Sequence, residues 1–240
     1  MRLLPLGIGN AFSIKYNNTS FLVETDKKYL IDVPKNLRKT LDKYSVDIKD
    51  INDVIITHYH ADHLGDLEQF LQYKRWVENE KPTIYTKQEI FDVIEPFYSK
   101  IFDNKVSDNG KRLEKQYLSE IFDYIELNPE HPLLNGGTKI EIKDTFHTVP
   151  TFSVKLTYSK RSLANSSDTN FNPDLLNNFL SGSDFIIHEA CSYEDPVHTY
   201  VKTLEEYVEK NKINNIHLAH IDDNLESSLP ILKEGKWYDV

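Results

Sequence analysis

The stretch Thr57-His58-Tyr59-His60-Ala61-Asp62-His63 puts three imidazoles and a carboxylate within six residues. In extended chain His58 and His60 point to the same side, because side chains alternate with a period of two. Such a pair can chelate one metal ion. Asp62 and His63 follow where the chain turns, within reach of a second ion. A group of this kind adds little packing and costs much desolvation, so its value is chemical. The chain has nine histidines and one cysteine, Cys191. That count excludes an internal disulfide and a cysteine-based zinc site, leaving His and carboxylates to hold any metal.

A two-metal centre needs further donors. His147 stands just before a strand-like run, and Asp168 and His220 each stand at the end of one. Strand ends are common places for sites. The elements that must position these groups can be read from hydrophobic pattern. Val54-Ile55-Ile56 and Phe185-Ile186-Ile187 are continuous apolar runs, the pattern of strands buried on both faces. Further strands are expected at residues 2–6, 20–24, 29–33, 83–85, 124–127, 139–142, 153–157 and 216–219, with the first motif closing a strand at 53–57. Asn135-Gly136-Gly137 is a turn signal. Helices are expected after Asp66, over 88–101 and 113–122, after the Asn172-Pro173 start, and after a capping box of Thr203 and Glu206. Mixed strands and helices point to a layered α/β protein.

The 240 residues make one domain's worth of chain, read as a single domain over 1–240. Residues 96–122 read as a helical insertion and a possible cap over the site, with the polar stretch 105–115 as its mobile loop. Lys and Arg total 28 against 38 Asp and Glu, a net charge of -10. Non-specific nucleic-acid binding runs on phosphate neutralisation by Lys and Arg, so a stable nucleic-acid partner is not expected. No apolar run approaches the ~18 residues of a membrane span. The expected compartment is the cytoplasm.

The first motif resembles the HxHxDH signature of the metallo-β-lactamase superfamily, filled here by His58, His60, Asp62 and His63. The order His147, Asp168-Thr169, His188-Glu189-Ala190, His220 resembles the ribonuclease Z and phosphodiesterase branch. Leu6-Gly7-Ile8-Gly9-Asn10-Ala11-Phe12 and Tyr29-Leu30-Ile31-Asp32 resemble that branch's first strands. The resemblance covers nearly the whole chain. It implies an αββα sandwich with two divalent metal ions. By motif position His58, His60 and His147 would hold one ion, Asp62, His63 and His220 the other, and Asp168 would bridge them. Zinc is the first expectation, and manganese or iron accept the same donors. Two such ions ~3.5–4 Å apart activate water and neutralise phosphate charge. Asp62 would help orient that water. His198 would be the acid for the departing oxygen, oriented by Glu189. Here the chain departs from the branch's Gly-His-Ser-Thr, reading Val197-His198-Thr199-Tyr200. His188 reads as a supporting or packing residue, and His131 and His217 as structural or surface ones.

Asp168 follows His147 by 21 residues, room for two strands and a turn. Ribonuclease Z carries its tRNA-gripping arm in that interval. The short interval and the acidic charge narrow the resemblance to the anti-Pycsar phosphodiesterases, phage and bacterial proteins that hydrolyse cyclic mononucleotides, cyclic CMP and UMP included, and so silence a defence signal. The expected substrate is thus a small 3′,5′-cyclic nucleotide, with no membrane partner and a homodimeric assembly. Phe12, Tyr16, Phe97 and Tyr98 are candidates to stack on its base. The alternatives are a lactonase or thioesterase using the same metals, a tRNA 3′-processing endonuclease, and a non-enzymatic nucleotide binder.

Overall fold

The computed structural model describes residues 1–102 and 117–240, together with the backbone pairing of two short strands between them. In chain order the elements begin with β1 (Arg2–Gly7), β2 (Ser20–Glu24), β3 (Lys28–Ile31), α1 (Leu37–Lys43), β4 (Asp53–Ile55), α2 (Ala61–Leu64) and α3 (Leu67–Trp76). They continue with β5 (Thr83–Thr86), α4 (Gln88–Phe102), β6 (Ser107–Asp108), β7 (Lys111–Arg112), β8 (Asp123–Glu126), β9 (Leu133–Asn135), β10 (Thr138–Asp144), β11 (Phe152–Tyr158) and β12 (Arg161–Asn165). The last are α5 (Pro173–Leu175), running into a π turn at Leu176–Leu180, then β13 (Phe185–Glu189), α6 (Val201–Asn211), β14 (Ile216–Ala219) and β15 (Tyr238–Asp239).

Two sheets result. One has the order β15-β1-β2-β3-β4-β5-β8 and the other β14-β13-β12-β11-β10-β9. β4 and β13 are buried along their whole length, as their apolar runs require. The helices bury one stripe and expose the other, as in α3, where Leu67, Phe70 and Leu71 face in. Two sheets with buried central strands and half-buried helices outside make the α/β αββα sandwich that the sequence suggests. The sheets are joined at one edge by side chains: Tyr29 of β3 donates to the Asn135 carbonyl at 3.1 Å, and the Asn135 amide lies 2.8 Å from the Asp53 carboxylate. Among the described residues, no helix is long and apolar enough to cross a membrane.

What positions the site is strand direction. β3, β4 and β5 run parallel, and so do β12, β13 and β14. Parallel strands deliver their carboxyl ends to one edge, where α/β proteins build sites. Asp32, His58, Asp168, Glu189 and His220 all lie just after, or at, such ends.

Several expectations are corrected. The strands expected at 29–33 and 53–57 stop at Ile31 and Ile55, because Asp32 turns left-handed (φ 62°) and its carboxylate takes the Thr57 N–H. α6 starts at Val201, capped from Tyr200, so Thr203 lies inside the helix and caps nothing. Residues 113–116 of the expected helix over 113–122 lie outside the described residues, and the rest holds a single 3-10 turn at Leu118–Glu120. α4, expected over 88–101, runs unbroken through Pro96 to Phe102. Apart from the β6–β7 pairing, the expected loop at 105–115 lies outside the described residues, and so do residues 103–106 and 113–116 of the 96–122 cap. The interval from His147 to Asp168 holds β11 and β12, joined through Ser159 and Lys160, both at positive φ.

Candidate metal centre and active site

The motif after β4 is built from the backbone outward. Asp32 accepts hydrogen bonds from the Thr57 N–H and hydroxyl, each at 2.8 Å, and fixes the chain as it leaves the sheet. Thr57 Oγ1 lies 3.1 Å from His58 Nδ1, and Asp32 Oδ2 lies 2.8 Å from His63 Nδ1. Both contacts orient the ring and leave Nε2 to face inward, the arrangement that supports metal-ligating histidines. His60 caps α2, whose first turn brings Asp62 and His63 back over the strand end.

Around the carboxylate of Asp168, 2% exposed, the other groups converge. Its Oδ2 lies 3.7 Å from His58 Nε2, 3.7 Å from His147 Nε2 and 3.3 Å from His220 Nε2. Its Oδ1 lies 3.4 Å from His63 Nε2. Asp62 Oδ2 lies 3.4 Å from both His63 Nε2 and His220 Nε2. His60 Nδ1 lies 3.1 Å from His147 Nε2. Donor atoms of His58, His60, His147 and Asp168 form one group, and those of Asp62, His63 and His220 another, with atoms in each group within 4.8 Å of one another. The sequence-expected donors are therefore all brought together, with Asp168 between the two sets.

These donors fit metal ions better than they fit each other. His58 Nε2, His63 Nε2, Asp168 Oδ1 and His220 Nδ1 are buried and make no hydrogen bond. The contacts among them are too long or too poorly aligned to count. Two nitrogens each ~2.0–2.1 Å from one tetrahedral zinc ion stand roughly 3.3 Å apart, the spacing found here. Three residues of the site, Asp32, Ser167 and His220, are left-handed, at φ 62°, 53° and 49°, as are six other non-glycine residues among the described residues. Non-glycine residues hold such angles at a cost, mostly at functional sites.

Electrostatics follow the two sets. Burial pushes the pKa of His58 well down and lowers those of His60 and His147, keeping these imidazoles neutral and ready to donate. Burial would do the same to His220, but Asp168, Asp62 and Glu189 carry it up to about 10. Burial opposes the charge of Asp168, yet the imidazoles of His220, His63 and His58 hold its carboxyl well below the usual range. The Asp62–Asp168 side thus gathers negative charge that a cation must balance.

His198 lies beside this centre, its ring centroid 5.1 Å from that of His147 and 5.4 Å from that of His220. Its Nδ1 lies 3.1 and 3.0 Å from the two oxygens of Glu189, which is 2% exposed and also accepts the Thr169 N–H. Burial opposes a charge on His198, and Glu189 outweighs it, so its pKa is raised. Asp195 Oδ1 accepts the N–H groups of Val197 and His198, fixing the turn that carries the ring. His188 is fully buried with Nδ1 2.7 Å from the Glu189 carbonyl, and His217 stacks on Phe185.

All this opens into a cleft of about 380 Å³, the size of a small-ligand pocket. Phe12 and Tyr193 line it; Tyr16, Phe97 and Tyr98 do not. Tyr98 is a core residue and Phe97 an exposed one on α4. Sequence reasoning missed Asp32 as a supporting residue, although a carboxylate closing the apolar run Tyr29-Leu30-Ile31 was the available signal. It missed Asp195 and Tyr193 as well, for which no motif stands in the sequence.

Known proteins resemble this chain over nearly its whole length. Residues 1–236 match the family described as "Anti-Pycsar protein Apyc1". A relative of that name from Paenibacillus sp. (strain J14) is 29% identical over 234 residues, 95% of this chain and 91% of its own. Another, from Bacillus phage vB_BsuM-Goe3, is 27% identical over 94% of this chain and 90% of its own. A "cGMP-dependent 3',5'-cGMP phosphodiesterase A" from Dictyostelium discoideum is 24% identical over 96% of this chain, which spans 27% of that longer protein. Among solved structures, the metallo-beta-lactamase fold protein YhfI from Bacillus subtilis superposes with a TM-score of 0.78 at 16% identity, over 99% of this chain and 98% of its own.

Proposed function

The chain belongs to the Anti-Pycsar protein Apyc1 family, and from that membership we propose that it is a metal-dependent phosphodiesterase that opens 3′,5′-cyclic mononucleotides. The observation that carries the reading is the joint placement of two donor sets about Asp168 and an acid, His198, at the wall of one cleft. His58, His60 and His147 would hold one divalent ion, Asp62, His63 and His220 a second, and Asp168 both. Zinc is the first choice for imidazole and carboxylate donors. Bound there, such ions lower the pKa of water to near neutral and neutralise charge on a phosphoryl group.

The chain's own residues do the rest. Asp62, held ionised by the imidazoles of His220 and His63 in spite of its burial, lies at the cleft wall and orients the attacking water. The bond from water oxygen to phosphorus forms as that water gives up a proton to solvent, which later restores the proton of His198, and the bond from phosphorus to one ribose oxygen breaks. That oxygen leaves as an alkoxide and takes a proton from His198. Glu189 accepts the Nδ1–H of His198, which keeps the ring protonated and turns the other ring nitrogen to the cleft. The cleft lining contains no Lys or Arg among the described residues. A polymer's phosphates would find nothing to grip, whereas a single phosphate is served by the metal centre. The family name supports a role in disarming a cyclic-nucleotide defence signal, and we propose that the enzyme acts in the cytoplasm as a homodimer.

The test is turnover of a panel of cyclic mononucleotides, cyclic dinucleotides and a precursor tRNA, with metal content measured on the same sample. Cleavage of the mononucleotides and not of the tRNA is expected. A sample carrying two metals that cleaves no cyclic mononucleotide would sink the reading.

A further inference from the structure

Two large aromatic side chains stand open to solvent where the cleft meets the surface. Phe12 is 85% exposed and Tyr193 49% exposed, and both line the cleft. Leaving apolar area in water costs free energy, and two aromatic side chains on the lining of one cleft offer a ligand apolar surface to cover.

The loops that carry them are held by two successive carboxylates, Asp222 and Asp223, which follow the candidate ligand His220 after one intervening residue. Asp222 accepts the Ser192 N–H at 2.7 Å and the Ser192 hydroxyl at 3.0 Å. Asp223 accepts the Ser13 hydroxyl at 2.5 Å and the N–H groups of Ile14 and Lys15 at 3.1 and 3.2 Å. Asn10 adds a side-chain bond to the Phe12 N–H at 3.0 Å. The fold-back of residues 10–16 also needs Gly9, where a Cβ would stand 2.6 Å from that of Ser13. Two rim loops are thus tied to the strand end that supplies His220, and each presents one aromatic side chain.

We propose that Phe12 and Tyr193 form the nucleobase subsite, held in register with the metal centre by Asp223 and Asp222. The inference rests on the phosphodiesterase reading above. The rim chemistry chooses the occupant. The phosphate belongs to the centre, no Lys or Arg among the described residues lines the cleft, and what remains at the mouth is aromatic surface that suits a flat base. Phe12 and Tyr193 bind the base and do not touch the reacting atoms. Asp222 and Asp223 are positioning residues, acting through the loops.

The experiment compares cyclic CMP with base-free ribose 3′,5′-cyclic phosphate on the metal-loaded wild type and on Phe12→Ala, Tyr193→Ala, Phe12→Trp and Asp223→Ala. Stacking on one aromatic side chain corresponds to roughly a tenfold change in KM. Each alanine variant of the aromatics is expected to raise KM for cyclic CMP about that much, with a smaller effect on kcat. The preference of kcat/KM for cyclic CMP over the base-free substrate should collapse in the same variants. Asp223→Ala should follow Phe12→Ala, and Phe12→Trp should restore the preference. Wild-type turnover of cyclic CMP with KM unmoved in both alanine variants overturns the subsite and leaves the phosphodiesterase reading standing. Equal losses on both substrates overturn it too, as does conversion of a dimer to a monomer with the preference intact. Absence of wild-type turnover on every cyclic mononucleotide overturns the phosphodiesterase reading and the subsite with it.

Discussion

Two buried polar clusters lie at opposite ends of the run from Asp53 to His58, and they are built in opposite ways. At the first end, Asp53 accepts from the Tyr85 hydroxyl at 2.6 Å, and the Asn135 amide lies 2.8 Å from Asp53 and from the Tyr85 oxygen and 3.0 Å from that of Tyr29. Lys27 closes the group on Asn135 Oδ1 at 2.8 Å. No buried side-chain atom of these five residues lacks a partner. At the second end, His58, His63, Asp168 and His220 each keep a buried atom unpaired. A buried polar group without a partner costs about 1–3 kcal/mol, so the first arrangement is what folding favours on its own. The second is stable only when something else satisfies it. A closed network joins two sheets, and the other cluster offers donors that can hold a divalent cation.

That contrast is broken most decisively at Asp168. Asp168→Ala is expected to abolish turnover and to weaken both metals, because one carboxylate stands between both donor sets. Metal analysis by mass spectrometry beside a turnover assay checks it, and full occupancy of both sites in the variant contradicts the assignment. His198→Ala should cost roughly 10²–10⁴-fold in kcat, the range of a general acid, while both metals stay. Since Glu189 raises the pKa of His198, the acid form persists above the pH at which an ordinary imidazole loses its proton. The basic limb of the pH–rate profile should therefore lie high in the wild type and move down in Glu189→Gln. A limb that stays in place would separate Glu189 from the acid.

The two clusters also differ in how far the sequence disclosed them. The donors His58, His60, Asp62 and His63 stand within six residues, and their clustering is chemically costly enough to be noticed. His147, Asp168 and His220 were legible as polar groups at strand ends. Which strands lie side by side was not, since parallel pairing of β12, β13 and β14 depends on contacts far apart in sequence. β9 carries no strand pattern because it is three residues long, and β12, the second of the two strands expected before Asp168, has no bounds in the pattern because the Ser159-Lys160 turn holds no Gly or Asn to signal it. Asn135 was read only as a turn residue, which it is, with Gly136 at φ 62° completing the hairpin. Its amide's part in joining the sheets has no sequence pattern at all. Asp32 hid in a similar way, as the polar end of an apolar strand.

Metal removal sharpens the comparison through pH. Without ions, the carboxylates around His220 outweigh its burial and raise its pKa to about 10, above the value of ~6.5 in an unfolded chain. That contribution to stability is complete below pH ~6.5 and is lost as pH rises through about 10. Ion binding displaces the proton, so affinity rises with pH. The gap in Tm between loaded and chelator-stripped protein is expected to widen from pH 6 to pH 8.5, as read by calorimetry. A gap that is constant or narrows would mean that the ions do not take the place of protons at this cluster.

The smallest effect, and the one most specific to the comparison, belongs to the closed network. Asn135→Ala removes an amide that serves Asp53, Tyr29 and Tyr85 at once and leaves Lys27 with only the more distant Asp53 carboxylate, 3.5 Å away. Losing one buried partner costs about 2 kcal/mol, which for a chain of this size lowers Tm by roughly 4–8 °C. kcat and metal content should not change, because the satisfied cluster holds the sheets together and has no vacancy to fill. The opposite result, activity or metal lost while Tm stays, would show that the network at Asp53 tunes the centre through β4. Completeness of hydrogen bonding would then no longer separate a structural cluster from a functional one in this fold.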